Sequence, residues 1–160
     1  MIIIVMGVAG SGKTTIGRLL AESTGFHFVD ADSLHSPENI AKMRGGTPLT
    51  DSDRAPWLSA IRDRIVDATN RQEDLVLACS ALKEDYRSSL TRGVPVIWAY
   101  LKADADTLRR RLEQRTGHFM PAELLNSQLD SLEEPADAIV LDASRPPRAI
   151  AGDILARLRA

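Results

Sequence analysis

Gly7-Val8-Ala9-Gly10-Ser11-Gly12-Lys13-Thr14 follows directly on a β-branched apolar run, Met1-Ile2-Ile3-Ile4-Val5-Met6, and opens a stretch with Ile16, Leu19 and Leu20 at helical spacing. The octet fits G-x-x-x-x-G-K-[ST]. The strand before it and the helix after it separate a phosphate-binding loop from an ordinary glycine-rich turn. In such a loop the backbone N–H groups from Gly7, Val8, Ala9, Gly10, Ser11 and Gly12 curl around phosphate oxygens, and the helix that follows adds the positive end of its dipole. Lys13 supplies a mobile charge to the outer phosphates, Thr14 a hydroxyl for Mg²⁺, and Thr15 the next turn of the helix start.

The chain has 160 residues, enough for one domain with a full core and too few for two ordinary ones, so nucleotide, acceptor and catalytic groups are expected to share a single domain, 1–160. Strand candidates at 2–6, 26–30, 75–79, 95–101 and 138–142 alternate with amphipathic helical stretches. That alternation predicts an α/β protein: three layers, α/β/α, with a five-stranded parallel sheet covered on both faces. Ile16, Leu19 and Leu20 form a helical stripe that stops near Gly25. Trp57, Leu58, Ile61, Ile65 and Ala68 mark a second helix, Leu108 and Leu112 another, and Ile150, Ile154 and Leu158 a last one after Pro146-Pro147.

A formal net charge of −2 recruits neither nucleic acid nor an anionic membrane. The six-residue apolar start is too short for a secretory core segment and reads as a buried strand. Cys79 is the single cysteine, which rules out an internal disulfide and makes a reducing cytoplasm the expected setting.

Ligands of an open parallel sheet collect beyond the carboxyl ends of its strands. The second strand ends in Asp30-Ala31-Asp32, at the rim that holds the phosphate loop. One carboxylate suits the hydrated shell of Mg²⁺ and the other the proton of an attacking hydroxyl, although aspartates also serve as turn and helix caps. From His35 to Leu58 a polar insertion intervenes, part of a wider candidate acceptor region at about 33–70. His35 and Asn39, four apart, are expected to share a helical face, as are Glu38 and Lys42. Arg54 has two candidate tasks: gripping an anionic group with its planar fork, or pairing with Asp51 and Asp53.

Cys79-Ser80 ends the third strand, with the thiol read as packing rather than as a nucleophile. Lys83, Tyr86 and Arg87 recur on one helical side, and Lys83 is the expected contact to the acceptor. In the run Arg109-Arg110-Arg111, the 100° helical step puts Arg115 along the inward stripe of Leu108 and Leu112 and Arg111 beside it. The chain then breaks at Thr116-Gly117 into His118-Phe119-Met120-Pro121, suited to a lid at about 111–124 that closes over phosphates. Gln128 interrupts the stripe Leu125, Leu129, Leu132; it either reaches the acceptor or satisfies a buried backbone group.

Taken in order, these segments resemble the gluconokinase family of small phosphate-loop kinases. The resemblance rests on Gly7 to Thr14, Asp30-Ala31-Asp32 with Ser33-Leu34-His35, Asn39-Ile40 with Lys42-Met43, Gly46 with Pro48-Leu49, Asp51-Ser52-Asp53-Arg54 with Pro56-Trp57-Leu58, Cys79 to Lys83 with Tyr86-Arg87, and Gly117-His118-Phe119-Met120. Ala31 departs from the glycine usual between the two aspartates. The resemblance implies a phosphate-loop NTPase fold of nucleoside-monophosphate-kinase type with a lid, and ATP-dependent phosphorylation of D-gluconate to 6-phospho-D-gluconate. It assigns Lys13, Asp32, Arg111 and Arg115 to catalysis, the loop from Gly7 to Thr15 with Arg111 to the nucleotide, Thr14 and Asp30 to Mg²⁺, and His35, Arg54, Lys83, His118 and Gln128 beside Asp32 to the acceptor. Relatives suggest a homodimer, though no exposed apolar stripe demands one. A shikimate kinase shares the loop and paired aspartates, and the insertion argues against it. A nucleotide-dependent binding switch is disfavoured by the absence of an N-K-x-D segment.

Overall fold

The computed structural model describes residues 1–115 and 124–160. In chain order the elements are β1 (Ile2–Met6), α1 (Lys13–Thr24), β2 (His27–Asp30), a 3₁₀ turn (Ala31–Leu34), α2 (Pro37–Arg44), α3 (Asp51–Asn70), β3 (Leu75–Ala78), α4 (Glu84–Thr91), β4 (Ile97–Lys102), α5 (Ala105–Gln114), α6 (Leu125–Ser131), β5 (Ile139–Asp142) and α7 (Pro147–Arg159). The five expected strands are present, β1 with the expected bounds and the other four trimmed or shifted by one or two residues at an end.

All strand pairs are parallel, in the order β2-β3-β1-β4-β5. β1 is central, with Ile4 level with Leu77 on one side and Trp98 on the other. Its alternation divides the core. Ile2, Ile4 and Met6 pack on one face with Trp57, Ile61 and Ile65 of α3, while Ile3 and Val5 pack on the other with Ile16 and Leu20 of α1 and Ile150 and Ile154 of α7. Each such side chain taken fully out of water contributes about 1.5–3 kcal/mol, so burial on both faces holds the strand whose end carries the phosphate loop. A third cluster joins Val8 and Ala9 of that loop to Leu82, Leu108, Leu112 and Leu125.

Local chemistry sets the helix ends. Gly25 takes the left-handed conformation at φ 78°, and its N–H reaches Ala21 O to close α1. Ser36 caps α2, with Pro37 in the first turn, where its missing N–H costs nothing. This start corrects the expected pairing of His35 with Asn39: His35 ends the preceding 3₁₀ turn and lies outside the helix. Asn39 is buried and donates to Asp53 O at 2.8 Å, tying α2 to α3. Lys42 likewise turns to Asp53, at 2.9 Å. α3 begins six residues before Trp57, through a capping box in which Thr50 and Asp53 satisfy each other's backbone N–H.

Candidate active site

The phosphate loop leaves β1 at Gly7 and enters α1 at Lys13, so its amides and the positive end of the helix meet at the carboxyl rim of the central strand. Gly10 sits at φ +85°, and a Cβ there would lie 3.0 Å from Leu108 O and 3.2 Å from Leu112 Cγ. The loop thus presses its backbone against α5, a fit open only to glycine.

Lys13 Nζ donates to Val8 O at 3.1 Å across the loop. Burial lowers its pKa from the ordinary lysine value, Asp32, Cys79 and Asp30 pull it back up, and Arg115 opposes them. The two aspartates of β2's end have separate settings. Thr14 Oγ1 donates to Asp30 Oδ2 at 2.8 Å, and the Asp32 N–H donates to Asp30 Oδ1 at 3.0 Å. Asp30 therefore caps the 3₁₀ turn and also fixes the threonine hydroxyl beside the loop. Asp32 instead lines a cavity that runs from Gly12, Lys13 and Thr14 to His35, Arg54 and Tyr86.

That cavity encloses about 820 Å³, the open solvent at its mouth included. Arg54 Nη1 donates to the Tyr86 hydroxyl at 3.2 Å and lies 4.0 Å from Asp51. The pairing with Asp51 is thus at the limit of an ion pair, Asp53 is occupied by Lys42 and the helix cap, and the guanidinium still faces the cavity. Lys83 precedes α4 as its N-cap; it bonds Asp51 at 3.2 Å, and the residues lining the cavity do not include it. Asp51 also accepts from the Tyr86 hydroxyl, and these two bonds hold its carboxyl below the usual range.

Arg87 corrects the expected basic face. It is 3% exposed, donating to Ala81 O at 2.7 Å, Leu82 O at 3.2 Å, Glu133 O at 2.7 Å and Glu84. It fixes the loop after β3, where Ala81 holds φ 45°. Cys79 is buried, with its thiol pushed up to about 12 chiefly by desolvation, which keeps it protonated and packed.

Arg115 lines the cavity, but by another route than a helical stripe: α5 ends at Gln114, and Arg115 follows with extended backbone at ψ 136°. Arg111 reaches across to Ala143 O at 2.6 Å and, more weakly, Gly10 O at 3.4 Å, bridging the phosphate loop to the β5–α7 connection. Of the two tasks open for Gln128, the backbone one is observed: its Oε1 accepts from the Ala9 N–H at 2.7 Å, while the residue borders the cavity. Thr15 is exposed, and Ser11 is buried with no partner for its hydroxyl among the described residues. His118 and the centre of the expected lid lie outside the described residues.

The residues not singled out in advance as lining the site are mostly apolar. Met43, Leu49 and Leu124 cluster on one wall, with Trp57 and Leu82 on others. Of these only Trp57 belongs to a stripe legible in the sequence, and the place of all five around the cavity shows their second task.

The family profile described as shikimate kinase matches residues 9–159. The chain is 47% identical to a gluconokinase of Gluconobacter oxydans over 84% of its length and 76% of that protein's. Among solved structures it is similar to a sugar kinase from a Janibacter species, with a TM-score of 0.91 and 45% identity over 99% of this chain and 94% of that one. A gluconokinase from Sinorhizobium meliloti superposes with a TM-score of 0.87 and 43% identity over 98% and 90%.

Proposed function

The chain belongs to the gluconokinase family, and from that premise we propose that it phosphorylates D-gluconate to 6-phospho-D-gluconate at the expense of ATP. The observation that carries this reading is the continuity of one cavity from Lys13 and Thr14 at the phosphate loop to Asp32, His35 and Arg54 on the far wall. The chemistry of the two ends, a phosphate loop with Lys13 and a wall with His35 and Arg54, suits the phosphates of a nucleotide and a polyhydroxylated anion.

In this reading the loop amides other than that of Ala9, which is taken by Gln128, hold the phosphates together with Lys13, and Arg115 offsets the charge that spreads over the transferring group. Arg111 steadies the loop from behind. Asp32 accepts the proton of the primary hydroxyl as that oxygen bonds to the γ-phosphorus and the bond to the ADP oxygen breaks. His35 and Arg54 orient the acceptor, the guanidinium toward its carboxylate. Thr14 and Asp30, whose side-chain oxygens already meet, are a small oxygen donor set of the kind that hydrated Mg²⁺ uses, and the ion would supply charge neutralisation at the phosphates. A cytoplasmic setting belongs to the same reading. Among the described residues no helix is long and apolar enough to cross a membrane.

The match to the shikimate kinase profile favours one competing acceptor. A coupled ADP-release assay on D-gluconate, related sugar acids, neutral hexoses and shikimate separates them. Gluconate is expected to win clearly, and equal or better turnover on shikimate or a hexose refutes the assignment. Lys13→Ala is the control for the nucleotide end: it should lower kcat by on the order of 100-fold or more with the fold intact.

A further inference from the structure

We propose that Gln128 is a positioning residue for phosphoryl transfer, which sets the phosphate loop through its bond to the Ala9 N–H. The bond is 2.7 Å long and joins residues 119 positions apart, so it is a tertiary restraint on the loop from outside the loop's own motif. Its partner residue is buried: Ala9 is 7% exposed and packs with Val8 against Leu82, Leu112 and Leu125. A polar backbone group in such a setting requires an acceptor.

The helix that carries Gln128 is itself anchored. Beyond the end of α6, Glu133 donates its N–H to Leu82 O at 2.8 Å, accepts from Arg87 at its carbonyl, and accepts from the Glu84 N–H at 3.1 Å. Next to it Glu134 accepts from Tyr100 at 3.1 Å and pairs with Lys102 at 3.1 Å. These contacts tie the segment just after α6 to the loop after β3, to α4 and to β4 itself, so Gln128 is held while the phosphate loop adapts to it. Arg111 restrains the same loop from α5 through the carbonyls of Gly10 and Ser11, at 3.4 and 3.5 Å. Donor and acceptor restraints thus meet on consecutive residues, and the loop amides are set before nucleotide arrives.

The proposal rests on the nucleotide end of the function proposed above and is independent of which acid is the acceptor. Gln128→Met keeps the bulk and removes the acceptor; Gln128→Glu keeps an acceptor oxygen at the same reach. ADP binding measured calorimetrically, without any acceptor, should weaken roughly 5- to 30-fold in the methionine variant, with kcat lower and the KM for gluconate within about twofold of the parent. The Ala9 amide, followed by hydrogen exchange in NMR, should be protected in the parent and in Gln128→Glu and lose protection in Gln128→Met. A rise in the gluconate KM with ADP affinity unchanged makes Gln128 an acceptor ligand and overturns the proposal. So does an Ala9 amide that exchanges freely in the parent, a result that stands even if neither variant folds.

Discussion

The imidazole of His35 lies flat on the indole of Trp57, with ring centroids 4.3 Å apart and planes 10° from parallel. The indole is fixed in turn, because Trp57 Nε1 donates to Ala31 O at 2.7 Å. One aromatic plate therefore connects α3 to the turn that bears Asp32 and presents His35 to the cavity. Burial, and then the nearby charge of Arg54, lower the imidazole pKa to about 4. The ring is neutral near pH 7 and meets an acceptor through hydrogen bonds rather than charge.

The depressed value has a consequence for stability. As pH falls below 6.5 the unfolded chain takes up the proton first, so the contribution of neutral His35 is complete above that pH and is lost on the way down to about 4. His35→Asn removes the titration. Melting curves between pH 7.5 and 4.5 should show a shallower fall in Tm for the variant than for the parent; parallel falls would count against a buried neutral ring.

Asp30 and Asp32 should respond differently to the same substitution. Asp30→Asn weakens the acceptor for Thr14, so it should raise the Mg²⁺ concentration for half-maximal rate with a smaller effect on kcat at saturating metal. Asp32→Asn retains shape and loses the proton acceptor, and kcat should fall about 10²- to 10⁴-fold. Steady-state titrations with Mg²⁺, ATP and gluconate resolve the two, and near-full kcat in Asp32→Asn refutes its role.

Arg87 should be a stability residue with an effect on activity. Arg87→Met leaves the carbonyls of Ala81 and Glu133 without their donor, at a cost of about 3 kcal/mol or more in urea unfolding. Arg87→Lys should rescue little of it, since one ammonium cannot match the spread of a guanidinium over these acceptors. A loss below about 1 kcal/mol would contradict the proposed clamp.

Gly10→Ala tests the loop against α5. The left-handed backbone costs roughly 1–2 kcal/mol for a residue with a Cβ, and contact with Leu108 O adds to it. ATP affinity should drop with the gluconate KM little changed. Normal ATP affinity would mean that the loop tolerates a side chain there.

Much of the fold is written in short-range pattern. The apolar run before Gly7, the periodic apolar positions of α1 and α3, and the aspartates ending β2 can be read from neighbours a few residues apart, because strand and helix periods and turn chemistry are local properties. That reach extends to the phosphate loop and to the placement of Asp30 and Asp32 at its rim, which follows once the sheet is parallel. It does not extend to the partners of charged side chains. Arg87 and Lys83 lie on one stretch of sequence, yet one is buried under carbonyls of the β3 loop and of Glu133 while the other turns to Asp51, a choice made between elements far apart in the chain. The stacking of His35 on Trp57, the grip of Gln128 on Ala9 and the apolar wall of Met43, Leu49 and Leu124 are of the same kind. Periodicity can say that a residue faces inward; only the packed structure decides what it meets there, because each such contact depends on several elements docking at once.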